Sequence, residues 1–124
     1  MKKKLTVIMF SYNKEKLNYG LSIICAAAAI DRPTELFFAG KNIYNILNFD
    51  YLKKINKKSF LSFSNSEELL ISSMKLGTQF SVCSAAIDDN KIDIKFIRSD
   101  LEISISGLVS IVSEELKSNE LLFI

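Results

Sequence analysis

The sequence predicts an α/β domain of three layers: a mostly parallel five-stranded sheet flanked by helices. Three observations point there. Apolar runs of strand length alternate with stretches at helical spacing along the whole chain. The first run, Lys4 to Tyr12, is almost continuously apolar, which implies burial on both faces as in a parallel sheet. A strand, a helix and a second strand then fall within 40 residues, the pattern of a βαβ unit with a right-handed crossover. At 124 residues the chain is expected to form one domain, 1–124.

Taken in order, Asn13 can cap the first helix. Leu17, Leu21, Ile24, Cys25 and Ala28 mark its core side, and Ala26 to Ala29 offer a smooth surface to a sheet. Asp31-Arg32-Pro33 ends it. Cys25, inside the apolar stripe, is expected to be a small buried hydrophobe. Thr34 to Ala39 is the second strand, closed by Gly40.

Lys41 to Ser64 carries the weakest pattern. Ile43, Ile46 and Leu47 suggest a helix, which Leu52 and Ile55 continue or repeat. The run Lys53 to Lys58 is either a solvated helix end or a basic patch for an anionic partner, RNA or an acidic carrier protein. Phe60, Leu61 and Phe63 follow; exposed, they would mark a subunit interface or lid.

Ser64-Asn65-Ser66-Glu67 has capping-box spacing and opens a helix through Leu69, Leu70 and Met74 that closes at Gly77. Phe80 and Val82 alternate with Gln79 and Ser81 in a short strand that runs into Cys83. Ser84, Ala85 and Ala86 then open a short helix. Leu101, Ile103 and Ile105 form a fourth strand. Ile105, Leu108, Val109, Val112 and Leu116 recur as a helical stripe, and Leu121 to Ile124 makes the last strand.

Composition excludes several chemistries. There is no histidine, so nucleophile activation by a Cys-His or Ser-His-Asp arrangement is ruled out. Two cysteines without histidine supply no structural zinc site within one chain, and positions 25 and 83 make neither a C-x-x-C pair nor a disulfide framework. The four glycines fit no dinucleotide or phosphate-binding fingerprint. A net charge of +2 demands no nucleic acid. Met1-Lys2-Lys3-Lys4 imitates the start of a signal peptide, but the apolar run behind it is too short, so a soluble, cytoplasmic protein with no membrane partner is expected.

Any enzymatic activity would then rest on a lone cysteine, a carboxylate or a lysine, and the candidate at a strand-to-helix junction is Cys83. A helix beginning just after it would aim N–H groups of Ser84, Ala85 and Ala86, and its positive end, at the sulfur. Such an environment favours the reactive thiolate. A core cysteine at a strand end is the alternative. In a flavodoxin-like strand order, 2-1-3-4-5, the ligand crevice would lie between the first strand and the Cys83 strand. Tyr12 and Asn13 would then face Cys83 as further binding residues.

Val82-Cys83-Ser84-Ala85-Ala86, followed by Asp89-Asn90-Lys91-Ile92, resembles the cysteine motif of the DsrE/DsrF-like family, to which the TusBCD-type sulfur-relay subunits belong. Asn90 stands where that family usually has a glycine, and asparagine best tolerates the left-handed backbone such a turn needs. Ile87-Asp88-Asp89 is more acidic than the family pattern. The opening strand, the alanine-rich helix, Leu36-Phe37-Phe38, the Gly107 segment and Leu121 to Ile124 are similar too; Lys41 to Ser64 matches least. The resemblance implies a homo- or hetero-oligomeric (dimer, trimer or hexamer) sulfur-handling protein without a cofactor. In it Cys83 would carry a sulfane sulfur as a persulfide and pass it to a small carrier protein. A non-catalytic assembly subunit and a small-ligand binding module of the same fold are the competing readings.

Overall fold

The computed structural model describes residues 3–62, 64–115 and 119–124, the side chains at 114 and 115 excepted. Phe63 and Leu116, named above for an interface and a helical stripe, lie outside the described residues. Five strands form one sheet: β1 (Leu5–Met9), β2 (Thr34–Phe38), β3 (Gln79–Cys83), β4 (Ile103–Ser106) and β5 (Glu120–Phe123). Every pairing is parallel and the order is β4-β3-β2-β1-β5. The flavodoxin-like order is therefore not adopted, because β2 lies between β1 and β3. From β1 to β4 the chain steps steadily one way, then returns to add β5 on the far side of β1.

The helices that connect these strands form two layers, one on each face of the sheet. The helices α1 (Lys14–Ala29), α2 (Phe49–Lys54) and α3 (Asn65–Lys75) cover one face. They enclose a core that includes Val7, Met9, Leu36, Phe38, Phe80 and Val82. The helix α5 (Leu108–Glu115) lies on the other face, where Ile111 meets Ile8, Phe37, Ala39 and Cys83. Alternation along each strand explains the split: Phe37 and Phe38 are adjacent, fully buried, and belong to opposite cores. Removing either ring would cost about 3–5 kcal/mol.

Local chemistry fixes the helices. Asn13 caps α1, its side chain accepting from Lys16 N at 2.9 Å. Gly20 lets α1 sit tightly on the sheet, since a Cβ there would stand 2.4 Å from Met9 Sδ. Each of α1, α2 and α3, and the short α4 (Ser84–Asp89), ends on a left-handed residue: Asp31, Asn56, Gly77 and Lys91. The paired closing bonds at Lys91, N→Asp88 O 3.1 Å and Ile92 N→Ile87 O 3.0 Å, are those of a Schellman motif. The left-handed position near the cysteine motif is thus Lys91, while Asn90 stays at φ −92°.

Other elements depart from the sequence pattern. Ser64 is the residue before α3, but its hydroxyl donates back to Phe60 O and Leu61 O and forms no capping box. Gly40–Ile46 is a 3₁₀ segment, and α2 follows it as a separate short helix. Cys25 is half-buried at the α1–α3 seam, where its thiol donates to Leu69 O at 3.2 Å. Burial pushes that thiol up from its ordinary range, and the Ser73 backbone partly offsets this. On α5 the predicted stripe faces out: Leu108, Val109 and Val112 are 49%, 80% and 51% exposed, and among its described side chains only Ile111 is buried.

Candidate functional site at the carboxyl end of the sheet

Cys83 is the last residue of β3 and immediately precedes α4. The strand is buried from Phe80 onward, so the cysteine is carried to the sheet's carboxyl edge by a rigid element. Only 5% of it is exposed, and its thiol has no hydrogen-bond partner among the described residues. The helix behind it is six residues long, so its dipole is modest. What it offers is the free N–H groups of its first turn, on Ser84, Ala85 and Ala86.

A pocket of about 450 Å³ opens beside the sulfur. Its floor comes from strand ends: Ile8 of β1, Ala39 just past β2, and Cys83. Ala85 and Ala86 form one wall and Phe10, Leu108 and Phe123 another. The strand order reverses at β1, where β2 and β5 lie on either side, and open α/β sheets place ligands at such a point. Phe10 and Phe123 occupy it, their rings stacked with centroids 5.6 Å apart. Gly40, at φ +55°, makes room for them; a Cβ there would stand 2.7 Å from the Phe10 ring.

The polar lip consists of Lys41, Asp89 and Asn90. Asn90 is its organising side chain. Its amide donates to Ala86 O at 2.7 Å and to Gly40 O at 3.4 Å. Its carbonyl oxygen accepts from Lys41 Nζ at 2.6 Å and from the Tyr44 hydroxyl at 3.3 Å. The residue standing where a glycine was expected therefore ties α4 to the turn after β2.

Of the residues expected at the site, the structure brings Cys83, Ala85 and Ala86 together in the pocket. Ser84 is exposed beside it, near Gly107. Tyr12 and Asn13 stand elsewhere, because β2 separates their strand from β3. Asn13 is spent on capping α1. Tyr12 packs against Tyr44 and Phe60 and donates to Lys58 O. Burial raises its hydroxyl above the ordinary range, the Lys58 contact opposing. Sequence reasoning missed Phe10, Lys41 and Phe123, and misjudged what Asn90 does. The one available signal was Gly40 followed by a lysine at a strand's carboxyl end.

One further polar group sits on this face of the sheet. Glu35 of β2 is buried, with Oε1 paired to Lys4 Nζ at 2.6 Å and Oε2 accepting from Ser81 Oγ at 2.6 Å. Both oxygens have partners, as a buried carboxylate requires.

Fold and site together define a small all-parallel α/β protein with a cysteine at the mouth of its sheet. A model of the DsrE/DsrF-like family matches residues 3–122, and the chain belongs to that family. No curated protein matches it. Among solved structures, YchN from E. coli superposes with a TM-score of 0.73 at 17% identity, over 100% of both chains. The protein of unknown function MTH1491 from Methanobacterium thermoautotrophicum gives 0.72 at 14% identity, over 99% of this chain and 100% of that one. BT1422 from Bacteroides thetaiotaomicron, also of unknown function, gives 0.63 at 12%, over 98% and 95%. These likenesses establish the fold. No helix among the described residues is long and apolar enough to cross a membrane.

Proposed function

We propose that the protein is a sulfur-relay protein that carries sulfane sulfur as a persulfide on Cys83 and delivers it to a small carrier protein. The observation that carries this reading is the position of Cys83, at the carboxyl end of a buried parallel strand and in the floor of a pocket. Membership of the DsrE/DsrF-like family supports it. The absence of histidine agrees with a nucleophile that works as its own thiolate and needs no separate base.

In the proposed loading step the Cys83 thiolate attacks the outer sulfur of a donor persulfide R–S–SH. A Cys83–S–SH bond forms, the donor's S–S bond breaks, and R–S⁻ leaves with the bonding electron pair. An acceptor thiolate then attacks the outer sulfur of Cys83–S–SH and regenerates the Cys83 thiolate, so no net oxidation occurs. The N–H groups of Ser84, Ala85 and Ala86 stabilise the anionic forms of both states, and the apolar walls limit competing hydrolysis. The sulfurtransferase activity therefore needs no cofactor.

The test is a load-and-chase experiment followed by intact mass. Incubation with a persulfide donor adds one sulfur to the wild-type protein, and a small thiol added after desalting removes it. Cys83→Ser adds none and folds as the wild type does. A wild-type protein that gains no sulfur sinks the proposal.

A second reading, a non-catalytic assembly subunit, is favoured by one observation. Phe10, Leu108, Val109, Val112 and Phe123 are all half or more exposed, or nearly so, around the pocket and on α5. Apolar surface of that kind is typically covered by another chain. Both readings share an oligomer, and sedimentation showing only the 14.0 kDa species at micromolar concentration would count against that part.

A further inference from the structure

The lysines of the basic run are exposed, and one of them shares an aromatic ring with the lysine of the pocket lip. Lys57 Nζ lies 5.3 Å from the centroid of the Tyr44 ring, and Lys41 Nζ, on the pocket lip, lies 5.7 Å from the same centroid. Lys58 Nζ lies 5.3 Å from the Phe60 ring, and the Lys58 carbonyl accepts from the Tyr12 hydroxyl. The chain turn that presents them is fixed by Asn56 at φ 55° and by Lys57 N→Leu52 O at 2.9 Å. Among the described residues none of these three ammonium groups pairs with a carboxylate. Among the described residues Asp89 is the only carboxylate in the lining of the pocket.

We infer that Lys41, Lys57 and Lys58 form a docking rim for an acidic segment of a protein, beside the Cys83 pocket. Charge sets the sign of the partner: cations that no carboxylate neutralises among the described residues attract and orient an anionic surface and raise its rate of encounter. The aromatic rings beneath these lysines argue against RNA. Single-stranded nucleic acid needs open faces on which bases stack, whereas Tyr44 is buried, Tyr12 and Phe60 are half-buried against one another, and lysines lie over Tyr44 and Phe60. The rim thus presents point charges and not a stacking platform. Continuity with the pocket through Lys41 and Asn90 gives the docked segment a direction, with its thiol brought to the Cys83 sulfur. That last purpose rests on the persulfide reading; the charge recognition does not.

Two readouts keep the claims separate. The first is fluorescence anisotropy of a labelled hexaglutamate peptide, with hexalysine and a single-stranded RNA hexamer as comparisons. Hexaglutamate should bind several-fold more tightly than either, weakening as salt rises, since exposed charges are screened within about 10 Å at 0.1 M salt. The variant Lys41→Gln/Lys57→Gln/Lys58→Gln should lose that preference altogether while still folding cooperatively, and Lys75→Gln, at the end of α3, should keep it. Equal binding of the two peptides, or tighter binding of RNA at the same salt, overturns the inference. The second readout is the rate at which loaded protein gives sulfur to cysteine-bearing hexaglutamate and hexaserine peptides, the former expected to be faster. Hexaglutamate binding by a protein that never loads Cys83 upholds the rim and sinks the relay; a loaded protein that serves both peptides equally does the reverse.

Discussion

Lys41 Nζ donates to Asn90 Oδ1 at 2.6 Å across 49 residues of sequence, joining the turn after β2 to the helix after β3. The same amide also bonds Ala86 O and Gly40 O. Asn90 therefore fixes the distance between the two strand ends that frame the pocket. Asn90→Ala removes all of these bonds and leaves the Gly40 carbonyl short of a partner. Urea denaturation should show a loss of about 1–2 kcal/mol, and a loss within error of zero would show that the lip is not held this way.

Lys91 holds the left-handed position that closes α4. A side chain there costs about 1 kcal/mol relative to glycine. Lys91→Gly should accordingly raise stability by roughly that amount and leave sulfur loading unchanged, as read by the denaturation midpoint and by intact mass.

At the α1–α3 seam the Cys25 thiol already has an acceptor in Leu69 O. A serine hydroxyl inherits that bond, so Cys25→Ser should cost under about 1 kcal/mol and should load sulfur as the wild type does. The raised Cys25 thiol also implies slow alkylation at that position near neutral pH. Alkylation of Cys25 ahead of Cys83 would contradict the assignment.

Arg98 binds Glu67 through two bonds of 2.8 Å and Asp100 through bonds of 2.9 and 2.6 Å, tying the loop before β4 to the start of α3. These bonds raise the Arg98 guanidinium further above its already high range and hold the Asp100 carboxyl below the usual carboxylate range. A carboxyl lowered on folding contributes stability above its unfolded value of about 3.9, and that contribution is lost as pH falls through the folded value. Asp100 is largely exposed, so the effect is small. Arg98→Met should destabilise by about 1–3 kcal/mol at neutral pH and flatten the stability–pH curve below about pH 4.

The sheet and its helices were legible because their apolar periodicity is local, as in Leu5–Met9 and Leu17-Leu21-Ile24. The position of Cys83 at a strand-to-helix junction was legible for the same reason. Strand order was not, since nothing in the Tyr12 region records that β2 will insert between β1 and β3. The α5 stripe shows a different limit. Its 3.6-residue spacing says that one side is apolar, but Val109 at 80% exposure shows that this side does not face the chain's own core. Lys41 lay in the stretch with the weakest pattern, and only the tertiary bond to Asn90 makes it part of the site.

The central claim is that Cys83 is the sulfur carrier, and peptide mapping of donor-treated protein tests it most directly. After desalting and alkylation of free thiols, digestion should place a single added sulfur on the peptide containing Cys83 and none on the peptide containing Cys25. Sulfur on Cys25, on both peptides equally, or on neither would contradict the account.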